Sequence, residues 1–372
     1  KTLCLFFFLI PYIVTTGCTS SSTSTNYPSD AVSPTSNVTP SSNTNTAQLL
    51  NNSLTHDNLS RDYIIYIPGT YNSTKLTPLV FNFHGFGGSV SYYMSYVDMR
   101  PLAESNNFIL VYPQALEDPN DGNSTNWLHK EPTDHKDIFF VEALIDTIAS
   151  SYNVDINRIY ACGYSLGGMF SYELACQLNN KITSIASVAG AAFLGAFSWC
   201  ELTHPTSVLS IAGTNDDIHP YNDLNGWYFP VAEINNYWAN SNNTDLTPIV
   251  EELPDLNTTD GSTVERYSWT NGDGCVSVEE LKIINGGHDW PSPLASWGNQ
   301  DINANVEVWN FVSKFNMNGL IGCNTTNYLE LDHITLKNLI ATVDLYGRET
   351  SNKGFQLHIY DDGSVEKKYL IK

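Results

Sequence analysis

The pentapeptide Gly163-Tyr164-Ser165-Leu166-Gly167 does most to limit what this chain can fold into, because of what flanks it. Residues 159–162 before it form a short apolar run, and residues 166–178 after it carry apolar side chains at helical spacing. The serine therefore falls on a sharp strand-to-helix turn, where the two glycines remove side chains that would collide with the strand and the helix. Similar apolar runs recur at 63–67, 79–83, 108–112, 185–188, 208–211 and 281–284, several of them followed by Gly or Pro. Residues 138–152 carry a second helical pattern, and residues 302–315 a third with Asp301 as its expected N-cap. Strands alternating with helices predict an α/β fold, a mostly parallel sheet with helices on both faces, whose chemistry gathers at the carboxyl ends of the strands.

The two ends of the chain differ from this middle. Lys1, an apolar run from Leu3 to Val14 and then Gly17-Cys18 read as a secretory signal over residues 1–18, too short to span a membrane. The same residues fit a lipoprotein cleavage site, which would make Cys18 a lipid anchor. Residues 19–48, almost all Ser, Thr, Asn and Pro, have too little apolar surface to form a core and read as a flexible tether. The catalytic domain is expected over 49–321. From 322 to 372 strand-like stretches and an Asp361-Asp362-Gly363 turn predict a small β module. Export would permit disulfides among Cys162, Cys176, Cys200, Cys275 and Cys323, with the pairing open and Cys162, at the end of a buried strand, expected to be free. With 39 acidic against 17 basic residues, the net charge of -22 makes nucleic acid and anionic membrane surfaces poor partners, because their phosphates are repelled at long range.

A serine hydroxyl is a poor nucleophile until a base takes its proton, so Ser165 calls for a histidine and an orienting acid. In this kind of fold the chain order is Ser, then Asp or Glu, then His. After Asp216 come His219, His288, His333 and His358. The last two belong to the C-terminal module, and His219 is too close in sequence to the acid to reach across. His288, in Gly286-Gly287-His288-Asp289-Trp290-Pro291 just past the 281–284 strand, stands where the base belongs. The acid should follow the 208–211 strand, where Asp216 and Asp217 are neighbours. A tetrahedral intermediate also needs two N–H donors for its oxyanion. Those of Leu166, at the helix start, and Phe86, in His84-Gly85-Phe86-Gly87-Gly88, are the candidates, with His84 holding that loop. Trp290 and Trp127, on loops at the same sheet edge, and Tyr164, beside the nucleophile, are candidates for the substrate-binding wall, although both tryptophans could equally be core residues. No Cys or His spacing resembles a metal site, and no cofactor is implied.

Residues 61–315 resemble the poly(3-hydroxybutyrate) depolymerases and related feruloyl and acetylxylan esterases, a family of α/β-hydrolases. The likeness rests on Asn82-Phe83-His84-Gly85-Phe86-Gly87-Gly88, Val111-Tyr112-Pro113-Gln114, Tyr152-Asn153-Val154-Asp155, Gly163-Tyr164-Ser165-Leu166-Gly167-Gly168-Met169, Gly213-Thr214-Asn215-Asp216 and Gly286-Gly287-His288-Asp289-Trp290-Pro291, in that order. It implies an α/β-hydrolase fold and assigns the acid to Asp216; the family's next residue is usually proline, so Asp217 stands as a substituted neighbour. Asp289, where the family often has threonine, is a second departure. The tail is similar to the C-terminal sorting domains read by the type IX secretion machinery of Bacteroidetes, through Val343-Asp344-Leu345-Tyr346-Gly347-Arg348-Glu349 and Ile359-Tyr360-Asp361-Asp362-Gly363-Ser364.

The resemblance implies a secreted serine esterase acting on a polyester or on hydroxycinnamoyl or acetyl esters of polysaccharide, with the type IX machinery as its export partner. Two other readings compete. A prolyl-peptidase-like serine peptidase would share the fold, but the chain carries no propeller to gate peptides. A surface binding protein on an inactive scaffold would have no reason to keep Ser165, Asp216 and His288 together.

Overall fold

The computed structural model describes residues 46–127, 135–200, 202–222, 226–323, 339–343, 348, 350, 354–361 and 364–370. The export signal, Cys18, nearly all of the 19–48 tether and part of the sorting-domain likeness lie outside these residues. In chain order the first strands are β1 (Gln48–His56), β2 (Leu59–Ile67) and β3 (Thr77–Phe83), followed by helices α1 (Val90–Tyr96) and α2 (Arg100–Asn106). Then come β4 (Ile109–Pro113), a hairpin of β5 (Leu116–Asp118) and β6 (Ser124–Asn126), α3 (Lys136–Ser151), β7 (Val154–Tyr164) and α4 (Leu166–Gln177). The remainder of the large sheet is β8 (Ser184–Val188), β9 (Ser207–Gly213), β10 (Ile249–Glu252), β11 (Thr263–Trp269) and β12 (Val278–Ile284), with α5 (Val231–Ser241) and α6 (Ala304–Val312) packed on it.

Ten strands form one sheet in the order β1-β2-β4-β3-β7-β8-β9-β12-β11-β10. The centre, from β4 to β12, is parallel, while β1, β2, β10 and β11 run antiparallel to their neighbours. Every residue of β3, β4, β8 and β9 is buried, as a strand covered on both faces must be. Alternate residues feed two cores. Phe81 and Ile159 meet Phe140, Leu144 and Trp238 from α3 and α5 on one face, whereas Val80 and Tyr160 meet Val308, Phe311 and Val312 from α6 on the other.

The sequence reading stops short at the edges. β1 alternates between half-buried and exposed positions and β10 is exposed throughout, so neither carries a continuous apolar run. The N-cap of α6 is Asn303, whose side chain accepts from Asn305 N–H, not Asp301. Asp301 is occupied elsewhere, its Oδ1 accepting from the N–H groups of Leu256 and Asn257 at 2.7 and 2.9 Å. Cys176 pairs with Cys200 and Cys275 with Cys323, which leaves Cys162 buried and free. The second bridge ties Cys323, counted from sequence with the tail, to the turn before β12. Residues beyond it include β15 (Leu339–Val343), β16 (Gly354–Tyr360) and β17 (Val365–Leu370), a three-stranded antiparallel sheet, after the two-residue strands β13 (Phe315–Asn316) and β14 (Gly319–Leu320). Among the described residues no helix is long and apolar enough to cross a membrane.

Candidate active site

Ser165 joins β7 to α4 with φ 55° and ψ −121°, a conformation that costs on the order of 1–3 kcal/mol for a residue with a side chain. The surrounding turn is as tight as its glycines require. A Cβ on Gly163 would lie 2.4 Å from the carbonyl carbon of Gly167, and one on Gly167 would lie 2.1 Å from Phe83 O. The Ser165 N–H donates to Val188 O at 2.9 Å, tying the turn to the neighbouring strand end.

The loops after β9 and β12 bring the other two candidates to this turn. They are fastened to each other: Thr214 N–H donates to Ile283 O at 2.9 Å and Asn215 N–H to Gly286 O at 2.8 Å. At the end of one, Asp216 is buried and its Oδ1 accepts from the N–H groups of Ile218 and His219 at 2.9 and 2.8 Å. Its other oxygen, Oδ2, faces His288 Nδ1 at 2.7 Å. His288 Nε2 in turn lies 2.8 Å from Ser165 Oγ. Asp217 points to solvent. Tyr164 donates its hydroxyl to His288 O at 2.8 Å, and Tyr221 donates its own to the buried Glu280 of β12, so both loops are braced from below.

The loop after β3 supplies the remaining face. His84 is buried, and that burial lowers its pKa to about 4, keeping the ring neutral. A neutral ring suits its contacts: Nδ1–H donates to Gly85 O at 2.7 Å while Nε2 accepts from Ala115 N–H at 3.1 Å. A Cβ on Gly85 would stand 3.2 Å from Ser165 Cβ, so this loop passes directly over the nucleophile. Gly87 N–H donates to Thr125 O in the β5–β6 hairpin at 2.8 Å. Among the described residues, neither Phe86 N–H nor Leu166 N–H donates to a protein acceptor, and Leu166 opens α4, where the first amides of a helix have no partner of their own. Two free donors and a serine in hydrogen-bond contact with an imidazole can bind and attack a polarised carbonyl.

The aromatic candidates part company. Trp127 is completely buried, stacked on Phe170 at 4.9 Å, edge-on to Phe83, with Nε1–H donating to His84 O at 2.8 Å. It supports the loop from inside the core and presents no surface to the cleft. Trp290 is also buried, its Nε1–H donating to Asn305 Oδ1 at 3.0 Å, and it borders a separate cavity of about 560 Å³ between the α1–α2 region and residues 292–295. A cleft of about 510 Å³ over the loop after β3 is lined instead by Gly85 and Tyr164, which adjoin Ser165, and by Phe86, Tyr92, Tyr96 and Trp297; neither Ser165 nor His288 is itself part of its wall. Of these the sequence reading named Tyr164 for binding and Phe86 only for its backbone. Tyr92, Tyr93 and Tyr96 at helical spacing straight after the glycine loop were the overlooked signal. Among the described residues no group of His, Cys, Asp and Glu is arranged to hold a metal ion.

No family model matches the chain. The solved acetyl xylan esterase from Aspergillus awamori superposes with a TM-score of 0.52 at 15% identity, covering 72% of this chain and 99% of that one. The chain has the α/β-hydrolase fold. Curated proteins similar to it include esterases: the bifunctional acetylxylan esterase/xylanase of Neocallimastix patriciarum is 29% identical over 272 residues, 72% of this chain. Feruloyl esterase D of Neurospora crassa is 24% identical over 269 residues, 69% of this chain. The match spans 36% of the former, bifunctional protein and 83% of the latter. Within this fold, Ser165, Asp216 and His288 all stand just past the carboxyl ends of β7, β9 and β12, the sheet edge where open α/β sheets gather their ligand sites.

Proposed function

We propose that this α/β-hydrolase is a serine carboxylic ester hydrolase acting on hydroxycinnamoyl or acetyl esters of polysaccharide. The observation that carries the reading is the unbroken chain from Asp216 Oδ2 through His288 to Ser165 Oγ, with contacts of 2.7 and 2.8 Å. His288 Nε2 takes the Ser165 proton as Oγ attacks the ester carbonyl, and Asp216 stabilises the imidazolium so formed. The N–H groups of Phe86 and Leu166 receive the negative oxygen. His288 then gives the proton to the departing sugar hydroxyl, leaving an acyl-enzyme that water, deprotonated by the same histidine, hydrolyses to the acid and free Ser165. The relatives support polysaccharide esters, and an aromatic-lined cleft favours a hydroxycinnamoyl group as the acyl portion.

Export belongs to the same reading. The signal-like residues 1–18, two disulfides and the sorting-domain likeness of 322–372 support a secreted protein using the type IX route, with Cys18 as a lipid anchor if the lipoprotein site is cut. Deleting 324–372, which spares the Cys275–Cys323 bridge, should leave hydrolysis intact and hold the protein in the periplasm of a type IX-competent host; normal export of the deletion would refute the route.

Purified protein assayed on methyl ferulate, acetylated xylan, nitrophenyl acetate and polyhydroxybutyrate film tests the activity. Turnover of the ferulate or xylan ester, abolished by Ser165→Ala through a loss of ~10⁴-fold or more, is the expected result. Hydrolysis of the polyester film alone would move the substrate to that class, and cleavage of none would defeat the reading.

A further inference from the structure

The loop that follows His288 returns to the cleft. Asp289, the residue after the base, is buried, and its Oδ2 accepts from Asn299 N–H at 3.0 Å. Ser292 N–H donates to Asn299 O at 3.1 Å, closing residues 292–299 into a loop whose neck rests on that carboxylate. Gly298 lies against the same oxygen in a left-handed conformation, φ +74°, and a Cβ there would come 2.0 Å from Asp289 Oδ2. The next residue back is Trp297. It is half exposed, stacks parallel to Tyr96 with centroids 6.3 Å apart, and forms part of the cleft wall. Asn299, the other end of the neck, is buried and donates its side-chain amide to Ser262 Oγ at 2.8 Å and Asp301 Oδ2 at 3.0 Å, so the neck is anchored on both sides.

Asp289 otherwise stands in an unfavourable place. Its Oδ1 is buried without a hydrogen-bond partner, a condition that destabilises the fold and is retained here beside the base. A carboxylate adjoining the base and also clamping the loop that bears Trp297 couples the position of the cleft wall to the position of His288.

We propose that Trp297 determines selectivity for large acyl groups and that Asp289 is the positioning residue that holds it over the cleft. The proposal deepens the esterase reading and rests on it. Only a bulky acyl portion reaches the Tyr96–Trp297 wall, so the wall adds affinity for a hydroxycinnamoyl ester and little for an acetyl ester. Asp289 acts through the loop and touches no reacting atom, so its effect falls on KM for the large ester more than on kcat.

The test compares kcat and KM on methyl ferulate and nitrophenyl acetate for the full chain and four variants. Trp297→Ala should lower the ferulate-to-acetate ratio of kcat/KM by about tenfold, through KM. Asp289→Ala should lower it by a similar factor, and the double variant should lose no more than either single, because both changes remove one wall. Asp289→Asn keeps an oxygen for Asn299 N–H and should restore the ratio to within about twofold of the original. Should Asp289→Ala prove too unstable to purify, Gly298→Ala, which drives a Cβ into the carboxylate, must show the same KM-borne loss. An unaltered ratio in Asp289→Ala, or equal losses on both esters carried by kcat, would overturn the proposal. Absence of turnover of either ester by the unmodified chain would instead strike the esterase reading on which it stands.

Discussion

Ser165 holds a left-handed backbone angle that glycine tolerates and serine does not favour, and Asp216, two hydrogen bonds away through His288, is held by two backbone amides. Those amides fix one carboxylate oxygen and leave the other for His288, which is how a single aspartate of a neighbouring pair is selected. Asp216→Asn should lower kcat by ~10⁴-fold through loss of histidine orientation, and Asp217→Asn, at an exposed position, should change it little; the opposite ranking in steady-state assays would reassign the acid. Asp289 supplies a pH prediction. Burial, chiefly, and the nearby carboxylates of Asp216 and Asp260 push its pKa up to about 6, against the opposing pull of Asn299 N–H and His288, with the Tyr96 and Tyr164 rings close by. The folded protein therefore holds this proton more tightly than the unfolded chain does. Stability from this group is fully present below about pH 3.8 and is lost as pH rises through about 6. Asp289→Asn, which carries no charge, should raise Tm relative to the parent at about pH 7.5 and not at about pH 4, and thermal unfolding of both proteins at the two pH values decides it.

Elements differ in how plainly their residues announce them. The central strands and the helices α3 and α4 were legible because β3, β4, β8 and β9 are buried on both faces and read as continuous apolar runs. Edge strands β1 and β10 were not, since one-sided or absent burial leaves Asn, Ser and Glu in them. The three residues that hydrogen bonds join, Ser165, His288 and Asp216, were legible because a glycine-flanked turn and strand-end loops carry them. The cleft wall was not: nothing local separates Trp127, which locks the loop after β3 to the core, from Trp297, which faces solvent seven residues beyond Trp290. Trp127→Ala should destabilise the protein by about 3–5 kcal/mol in denaturant unfolding and lower turnover of small and large esters alike. A selective loss on large esters with unchanged stability would return Trp127 to the cleft. At the turn itself, Gly167→Ala forces a Cβ to 2.1 Å from Phe83 O and should abolish activity even where folded protein is recovered, whereas full activity would show that the turn relaxes more freely than its contacts indicate.

For the molecule as a whole, the loops at one sheet edge hold the proposed site while the disulfides Cys176–Cys200 and Cys275–Cys323 restrain segments outside it. Cys176–Cys200 joins the end of α4 to the loop after β8 across 24 residues, a span for which a bridge contributes ~3 kcal/mol. Reduction should lower Tm without abolishing turnover at moderate temperature, and a fully inactive but folded reduced protein would give the bridge a direct part in the site. The central claim concerns one oxygen atom. A fluorophosphonate probe, which phosphonylates a serine only when a base has activated it, should place one label per chain on the peptide containing Ser165, in step with loss of hydrolysis, and should label neither Ser165→Ala nor His288→Ala. A label on any other residue, or undiminished hydrolysis after full labelling of Ser165, would contradict the account.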